Sequence, residues 1–254
     1  MREKYGGCIY LDYNATTPIF DEVFKAMKPY LTTCFGNPSS SHIYATPCKE
    51  AVKQARLHVA QLINTPNPEN EIIFTSCGTE ADNRAIDIAI AHFEFNGKNT
   101  GNVPHIVTSA IEHPAILAYL RYLNEKEEID LTIVGVNTEG VVDVLGVYNS
   151  LNMSTALVTI MHSNNEVGTI QPIREISNGI KTFNKRSNSN ILLHSDGAQS
   201  IGKVLIDVVA IGVDMLTIVG HKYGAPKGIA AIYYILYTIY YILYTIYYIR
   251  AIGL

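Results

Sequence analysis

Gly220-His221-Lys222 places a lysine directly after an apolar run, Met215-Leu216-Thr217-Ile218-Val219, and before a stretch dense in turn residues, Tyr223-Gly224-Ala225-Pro226-Lys227-Gly228. An amine held at the end of a buried strand loses hydration, so its pKa falls and it becomes a nucleophile. Such a lysine can form a Schiff base with the carbonyl of a substrate or of a cofactor. A lysine in a surface loop fits the same tripeptide, so the choice depends on what stands with it. Four further clusters carry chemistry. Gly78 and Thr79 follow Ser76-Cys77 at the start of a helical pattern, where backbone N–H groups can hold a phosphate. Glu112-His113 offers a flat polar ring. Asn164-Asn165-Glu166 offers amides. Asp196 and Gln199 flank Gly197-Ala198 and offer a carboxylate and an amide.

The elements that must position these residues alternate along the chain. Predicted strands are 71–75, 105–108, 131–134, 156–161, 191–194 and 214–219. Predicted helices are 21–31, 47–63, 79–93, 114–124, 142–149 and 172–183. Asp21 reads as the N-cap of the first helix, with Val23, Met27 and Leu31 on one face. Pro47 fits the first turn of the second, whose apolar stripe is Val52, Ala55, Val59 and Leu62. Apolar strands between amphipathic helices predict an α/β fold, a mostly parallel sheet covered by helices. Ligands of such sheets sit beyond the carboxyl ends of the strands, and every cluster above falls there. Singly, each residue also fits a plain structural use: Thr79 and Asp196 as N-caps, His113 as a cap or core residue, the asparagines as turn residues. Together they match what pyridoxal 5'-phosphate needs: a helix N-terminus for the phosphate, a carboxylate for the pyridinium nitrogen and a lysine for the aldehyde.

Several stretches also occur in the order of a known family: Leu11-Asp12-Tyr13-Asn14-Ala15-Thr16-Thr17-Pro18, Gly36-Asn37-Pro38-Ser39-Ser40, Ile72 through Glu80, Ile111-Glu112-His113, Asn164 through Gly168, His194 through Gln199 and Val219-Gly220-His221-Lys222. From about Ile9 to Tyr233 the chain resembles the selenocysteine lyase and cysteine desulfurase family, fold-type I pyridoxal-phosphate enzymes of the class V aminotransferase group. The resemblance implies that Lys222 carries the cofactor as a Schiff base and abstracts the substrate Cα proton. It implies that Asp196 pairs with the pyridinium nitrogen and that His113 stacks on the ring and serves as an acid/base group. Gly78, Thr79 and His221 would bind the phosphate, and Asn165 and Gln199 would contact the ring hydroxyl oxygen. Asn14, Ala15, Thr16 and Asn37 would lie on the substrate side.

The activity implied is conversion of L-selenocysteine to L-alanine with release of selenium. The alternative is sulfur mobilisation from L-cysteine. Thr217-Ile218-Val219 and Pro104-His105-Ile106-Val107-Thr108 favour selenocysteine; many desulfurases carry serine where Val219 stands. A homodimer and an acceptor protein for the chalcogen are further implications. Cys77 stands at a position where glycine is usual and reads as a tolerated substitution. The family's nucleophilic cysteine, its carboxylate-binding arginine, a phosphate contact from across the dimer and a small C-terminal domain all belong to sequence beyond the match. None of the four cysteines occupies the nucleophile's position. A reading from another class is therefore an inactive truncated chain that at most binds the cofactor.

Composition bounds the rest. The 254 residues allow one large domain or somewhat more, and 48% hydrophobic with 17% charged residues is globular. A net charge of −4 without a basic stripe excludes a nucleic-acid reading. Cys8, Cys34, Cys48 and Cys77 have no metal-site spacing, which predicts reduced thiols and no metal. The N-terminus has neither a signal core nor a presequence, which predicts a cytoplasmic protein without a membrane segment. The expected organisation is an N-terminal segment at 1–20, a large domain at 21–232, and a tail at 233–254. That tail repeats Tyr-Tyr-Ile-Leu-Tyr-Thr-Ile and reads as low-complexity sequence rather than an evolved element.

Overall fold

The computed structural model describes residues 6–95 and 103–235. Its helices are α1 (Asp21–Thr32), α2 (Thr46–Ile63), α3 (Pro68–Glu71), α4 (Gly78–Phe93), α5 (Pro114–Glu125), α6 (Val144–Ser150), α7 (Ile173–Ser187) and α8 (Val208–Ile211). Its strands are β1 (Ile72–Thr75), β2 (His105–Ser109), β3 (Asp130–Val134), β4 (Thr155–Thr159), β5 (Leu192–Asp196), β6 (Met215–Val219) and β7 (Ala230–Tyr234). They form one sheet in the order β1-β7-β6-β5-β4-β2-β3. β7 runs antiparallel to both its neighbours, and the other pairs are parallel. β1 therefore points the same way as β2 to β6, and the carboxyl ends of six strands meet at one edge.

Side-chain alternation divides the core into two layers. Val107, Val158, Leu193, Leu216, Ile218 and Ala231 pack against α2, α6 and α7 through Ile63, Val147, Ile173, Ile176 and Ile180. On the other face Ile106, Leu157, Met215 and Ile232 pack against α4 and α5 through Ala81, Ala85, Ile86, Ile116 and Leu120. The alanines of α4 are small enough to bring this helix close to the sheet. Residues that continue the second face toward the carboxyl edge are polar: Thr159, His194, Asp196 and Thr217 are all buried. Register brings them together, since Thr159 pairs with His194 and Asp196 with Thr217.

The structure corrects several sequence expectations. Phe20, not Asp21, is the N-cap of α1, with no side-chain cap; Asp21 lies in the first turn, where its charge suits the helix dipole. α1 buries no residue, and Leu31 is 65% exposed, so the Val23-Met27-Leu31 face is not part of the core. α2 buries Cys48, Ala60 and Ile63 while Leu62 is exposed. Glu71 belongs to α3 rather than to β1.

β7 was not foreseen, and it crosses the expected boundary at 232. Tyr233 and Tyr234, the first two residues of the repeat, are 2% and 3% exposed. A strand between β1 and β6 is covered on both faces, so its residues read as a continuous apolar run without alternation. The rest of the expected tail, 236–254, lies outside the described residues. All four cysteines are free. Among the described residues no group of His, Cys, Asp or Glu could hold a metal, and no helix is long and apolar enough to cross a membrane.

Candidate active site

A cavity of about 230 Å³ opens at the carboxyl edge of the sheet. Gly78, Thr79, His113, Asn165, Asp196, Gln199, His221 and Lys222 all line it, together with Cys77, Asp82, Met161, Ala198 and Val219. Every residue expected to touch the cofactor is thus brought to one space by five separate strand ends.

Asp196 is the last residue of β5 and is 6% exposed. Its Oδ1 accepts the Ala198 N–H at 2.8 Å, which fixes the carboxylate plane. Burial raises its pKa; the Ala198 N–H opposes that rise first, then the neighbouring His113 and Lys222 side chains. A cation placed in the cavity would complete the compensation. Lys222 sits in the helical turn Gly220–Lys222 that follows β6. Burial lowers its pKa, Asp196 opposes this and Lys203 adds to it. Its Nζ donates to the carbonyls of Asn14 at 2.7 Å and Ala15 at 3.0 Å. The amine is therefore half-buried and directed, but engaged.

His113 combines two roles left open by the sequence. It is the N-cap of α5, its Nδ1 accepting the Ala115 N–H at 3.1 Å, and its ring lines the cavity. The cap assigns the proton of the neutral ring to Nε2. Thr79 is not an N-cap; Cys77 holds that position on α4 without a side-chain cap. The start of α4 is braced instead by Glu80, which accepts from the N–H and hydroxyl of Ser76 at 2.7 and 2.6 Å. Gly78 is tight against β6: a Cβ there would lie 2.7 Å from Cγ2 of Val219. Asp196 ends a strand and is likewise no N-cap. Asn164 is a turn residue, its Oδ1 accepting from Glu166 and Val167 N–H.

Residues 14–20 strap across the turn that carries Lys222. Thr17 donates its N–H and hydroxyl to the His221 carbonyl, both at 2.9 Å, and accepts the Gly224 N–H at 2.9 Å. The Thr16 hydroxyl lies 3.1 Å from Nδ1 of His221. The side chain of Asn14 donates to the Asn165 carbonyl at 3.1 Å. Asn14, Ala15 and Thr16 thus reach the Lys222 side of the site. Asn37 is not among the residues lining the cavity; its Oδ1 closes a local turn onto the Ser39 N–H.

Sequence reading missed Lys203, Asp82 and Met161. Lys203 Nζ donates to Asn14 Oδ1 at 2.9 Å and to Gln199 Oε1 at 2.8 Å. Because it takes both amide oxygens, it turns both amide NH₂ groups toward other partners: Asn14 to Asn165, and Gln199 to the Asn14 carbonyl at 3.0 Å. Its position four residues after Gln199 was the available signal. Asp82 lies four residues after Gly78, on the helix face that looks at the sheet.

The model of the family described as aminotransferase class-V matches residues 9–235. A cysteine desulfurase IscS of Dictyoglomus turgidum is 41% identical over 225 residues, 89% of this chain and 53% of that protein. A selenocysteine lyase of Xenopus tropicalis is 41% identical over 236 residues, again 89% of this chain and 54% of the relative. Among solved structures, a NifS-like protein superposes with a TM-score of 0.81 at 34% identity, covering 89% of this chain and 58% of that one. A structure described as SspA in complex with cysteine gives 0.80 at 37% identity, with coverage of 89% and 61%. The chain spans about half the length of the curated relatives it matches. With its mostly parallel sheet, helical cover and strand-end cavity, the chain belongs to the class-V aminotransferase family and has the large-domain fold of fold-type I pyridoxal-phosphate enzymes.

Proposed function

We propose that this chain carries the cofactor-binding half of a pyridoxal-phosphate enzyme that takes selenium from L-selenocysteine, leaving L-alanine. The observation that carries the reading is the convergence of Lys222, Asp196, His113 and the start of α4 on one cavity. The residues fit the group. The α4 N-terminus, a 16-residue helix, has Gly78 at its first position and suits a phosphate. Asp196 keeps an oxygen for a ring cation, and Lys222 supplies the amine.

When bound, pyridoxal phosphate acts as an electron sink for charge developing at the substrate Cα. The chain's own residues do the rest. Asp196 holds the ring nitrogen's proton in place. Gln199 and Asn165 would contact the bound ring, with Lys203 fixing the Gln199 amide. Lys222, with its basicity reduced by burial, takes and returns the Cα proton. The Nε2–H of His113 would be available as a donor to a group bound in the cavity. Selenium leaves at the zero oxidation level and the selenol hydrogen is made up on the new methyl group, so alanine forms without an added reductant.

Val219 and the sequences around it support selenocysteine. A second reading, sulfur mobilisation from L-cysteine, is supported by relatives named cysteine desulfurase at 41–43% identity. The homodimer, the acceptor protein and a cytosolic location stay proposals of the same kind. The test is alanine release from each amino acid by a version of the chain extended over the full length of its relatives and loaded with cofactor. More alanine is expected from selenocysteine than from cysteine. Equal or better turnover of cysteine would reverse the substrate assignment. Saturable cofactor binding without alanine from either would leave a binding domain only.

A further inference from the structure

Asp82 is the carboxylate of the cavity that the reading above does not use. It lies one turn inside α4, its side chain is 3% exposed, and its Oδ1 has no hydrogen-bond partner. Its side chain is hydrogen-bonded to that of Thr217 on β6. Thr217 Oγ1 is 3.0 Å from Nε2 of His194 on β5, whose Nδ1 is 2.8 Å from Thr159 Oγ1 on β4. Thr159, His194 and Thr217 are fully buried. A hydrogen-bonded line thus crosses three strands beneath the cavity and ends on Asp82. Asp196 follows His194 by two residues and shares its face.

The groups facing Asp82 offer it no positive charge. Asp196 faces it from β5, Glu112 from the loop before α5 and Cys77 from the start of its own helix. The His194 ring, 3.9 Å away, is neutral, since burial pushes it down to about 3. Among the described residues no lysine or arginine pairs with Asp82. Asp196, by contrast, has both His113 and Lys222 near it. An ionised carboxylate with one unpaired oxygen, sealed beside a second carboxylate, is strongly disfavoured; a carboxylic acid whose C=O lacks a partner costs far less. Burial, and then Asp196, hold the Asp82 proton on well above the ordinary aspartate range.

We propose that Asp82 is a positioning residue that stays a neutral carboxylic acid in the cavity floor, donating its proton to Thr217 and leaving Asp196 as the one anion for the ring cation of a bound cofactor. The proposal rests on the cofactor reading of the cavity. It also fixes the direction of the buried line: Asp82 O–H to Thr217, Thr217 O–H to Nε2 of His194, and Nδ1–H of His194 to Thr159. An ionised Asp82 would take the Thr217 proton instead and force the opposite His194 tautomer.

The test uses the whole chain without cofactor, with carbon-13 at the aspartate carboxyls, near neutral to slightly basic pH. Asp214, pushed up only to about 6, is then largely ionised. The expected infrared spectrum contains a carboxylic-acid C=O stretch from labelled aspartate that disappears in D82N and persists in D196N. No such band in the parent, or a band that survives D82N or is lost in D196N, overturns the proposal; if D82N does not fold, the parent and D196N spectra decide alone. A titration with pyridoxal phosphate supplies the second arm. D82A is expected to weaken binding about tenfold by removing the hydrogen bond to Thr217, and D82N to restore it to within about threefold. D82N as weak as D82A would mean that a charge is needed and would overturn the proposal. Failure of the parent to bind cofactor would sink the cofactor reading and leave the infrared result standing, so the two failures are distinguishable.

Discussion

Gly78→Ala tests the proposed phosphate cradle at a single atom. The added Cβ would lie 2.7 Å from Cγ2 of Val219, and 3.7 and 3.8 Å from its Cγ1 and Cβ. Val219 cannot swing aside easily: it is β-branched, 4% exposed and at the end of a central strand. Relief must come from the start of α4 moving away from β6. Overpacking of this kind costs about 1–3 kcal/mol. If the helix start bears that cost, affinity for pyridoxal phosphate falls about 5- to 150-fold. Val219→Ala removes Cγ2, the atom that causes the clash. The double variant G78A/V219A should recover most of the loss, giving a coupling of the same size and opposite sign. Equilibrium titration of the four proteins, with thermal midpoints measured alongside, makes the comparison. If G78A binds cofactor like the parent, or if V219A does not relieve it, the α4 terminus is not the phosphate cradle described above.

Three further outcomes follow from other parts of the structure. Burial pushes Glu112 up to about 8 from an ordinary 4.5; the folded chain keeps a proton there that the unfolded chain has released. Glu112 therefore makes stability fall between those two pH values, by up to about 1.4 kcal/mol per pH unit, and level off above them. Urea midpoints across that range should show E112Q gaining on the parent as pH rises, and parallel curves would contradict this. Thr17→Val removes the hydroxyl that joins the His221 carbonyl to the Gly224 N–H. Exchange of the Gly224 amide should quicken about tenfold, the worth of a typical hydrogen bond, whereas an unchanged rate would show that the strap does not hold the Lys222 turn. Cys77 is exposed and lines the cavity, while Cys8 is exposed elsewhere. Bound cofactor should slow alkylation of Cys77 and not of Cys8; equal protection would place the ligand outside this cavity.

Much of the site could be read in the sequence because its residues sit at strand ends, where a change from apolar run to turn marks the position. Asp196, Lys222, Gly78 and His113 were found this way. What escaped has a physical reason. β7 is sandwiched between β1 and β6, so Ala230–Tyr234 lacks the alternation that marks a half-exposed strand, and its tyrosines merge into a repeat. Lys203 acts through side-chain amides of Asn14 and Gln199, a contact between segments 189 residues apart at its far end. Asp82 looks like an ordinary helix residue until His194 and Thr217 are placed opposite it. Asn37 was assigned to the substrate side by resemblance alone, and its side chain serves a local turn.

On the proposed reading, this cavity binds pyridoxal phosphate through Lys222. Mixing the chain with the cofactor, fixing the aldehyde–lysine linkage with borohydride and mapping peptides by mass spectrometry tests it directly. The expected product is one dominant phosphopyridoxyl-modified lysine, Lys222, with the label lost in K222A. Label shared among surface lysines, concentrated on the neighbouring Lys203, or undiminished in K222A would contradict it.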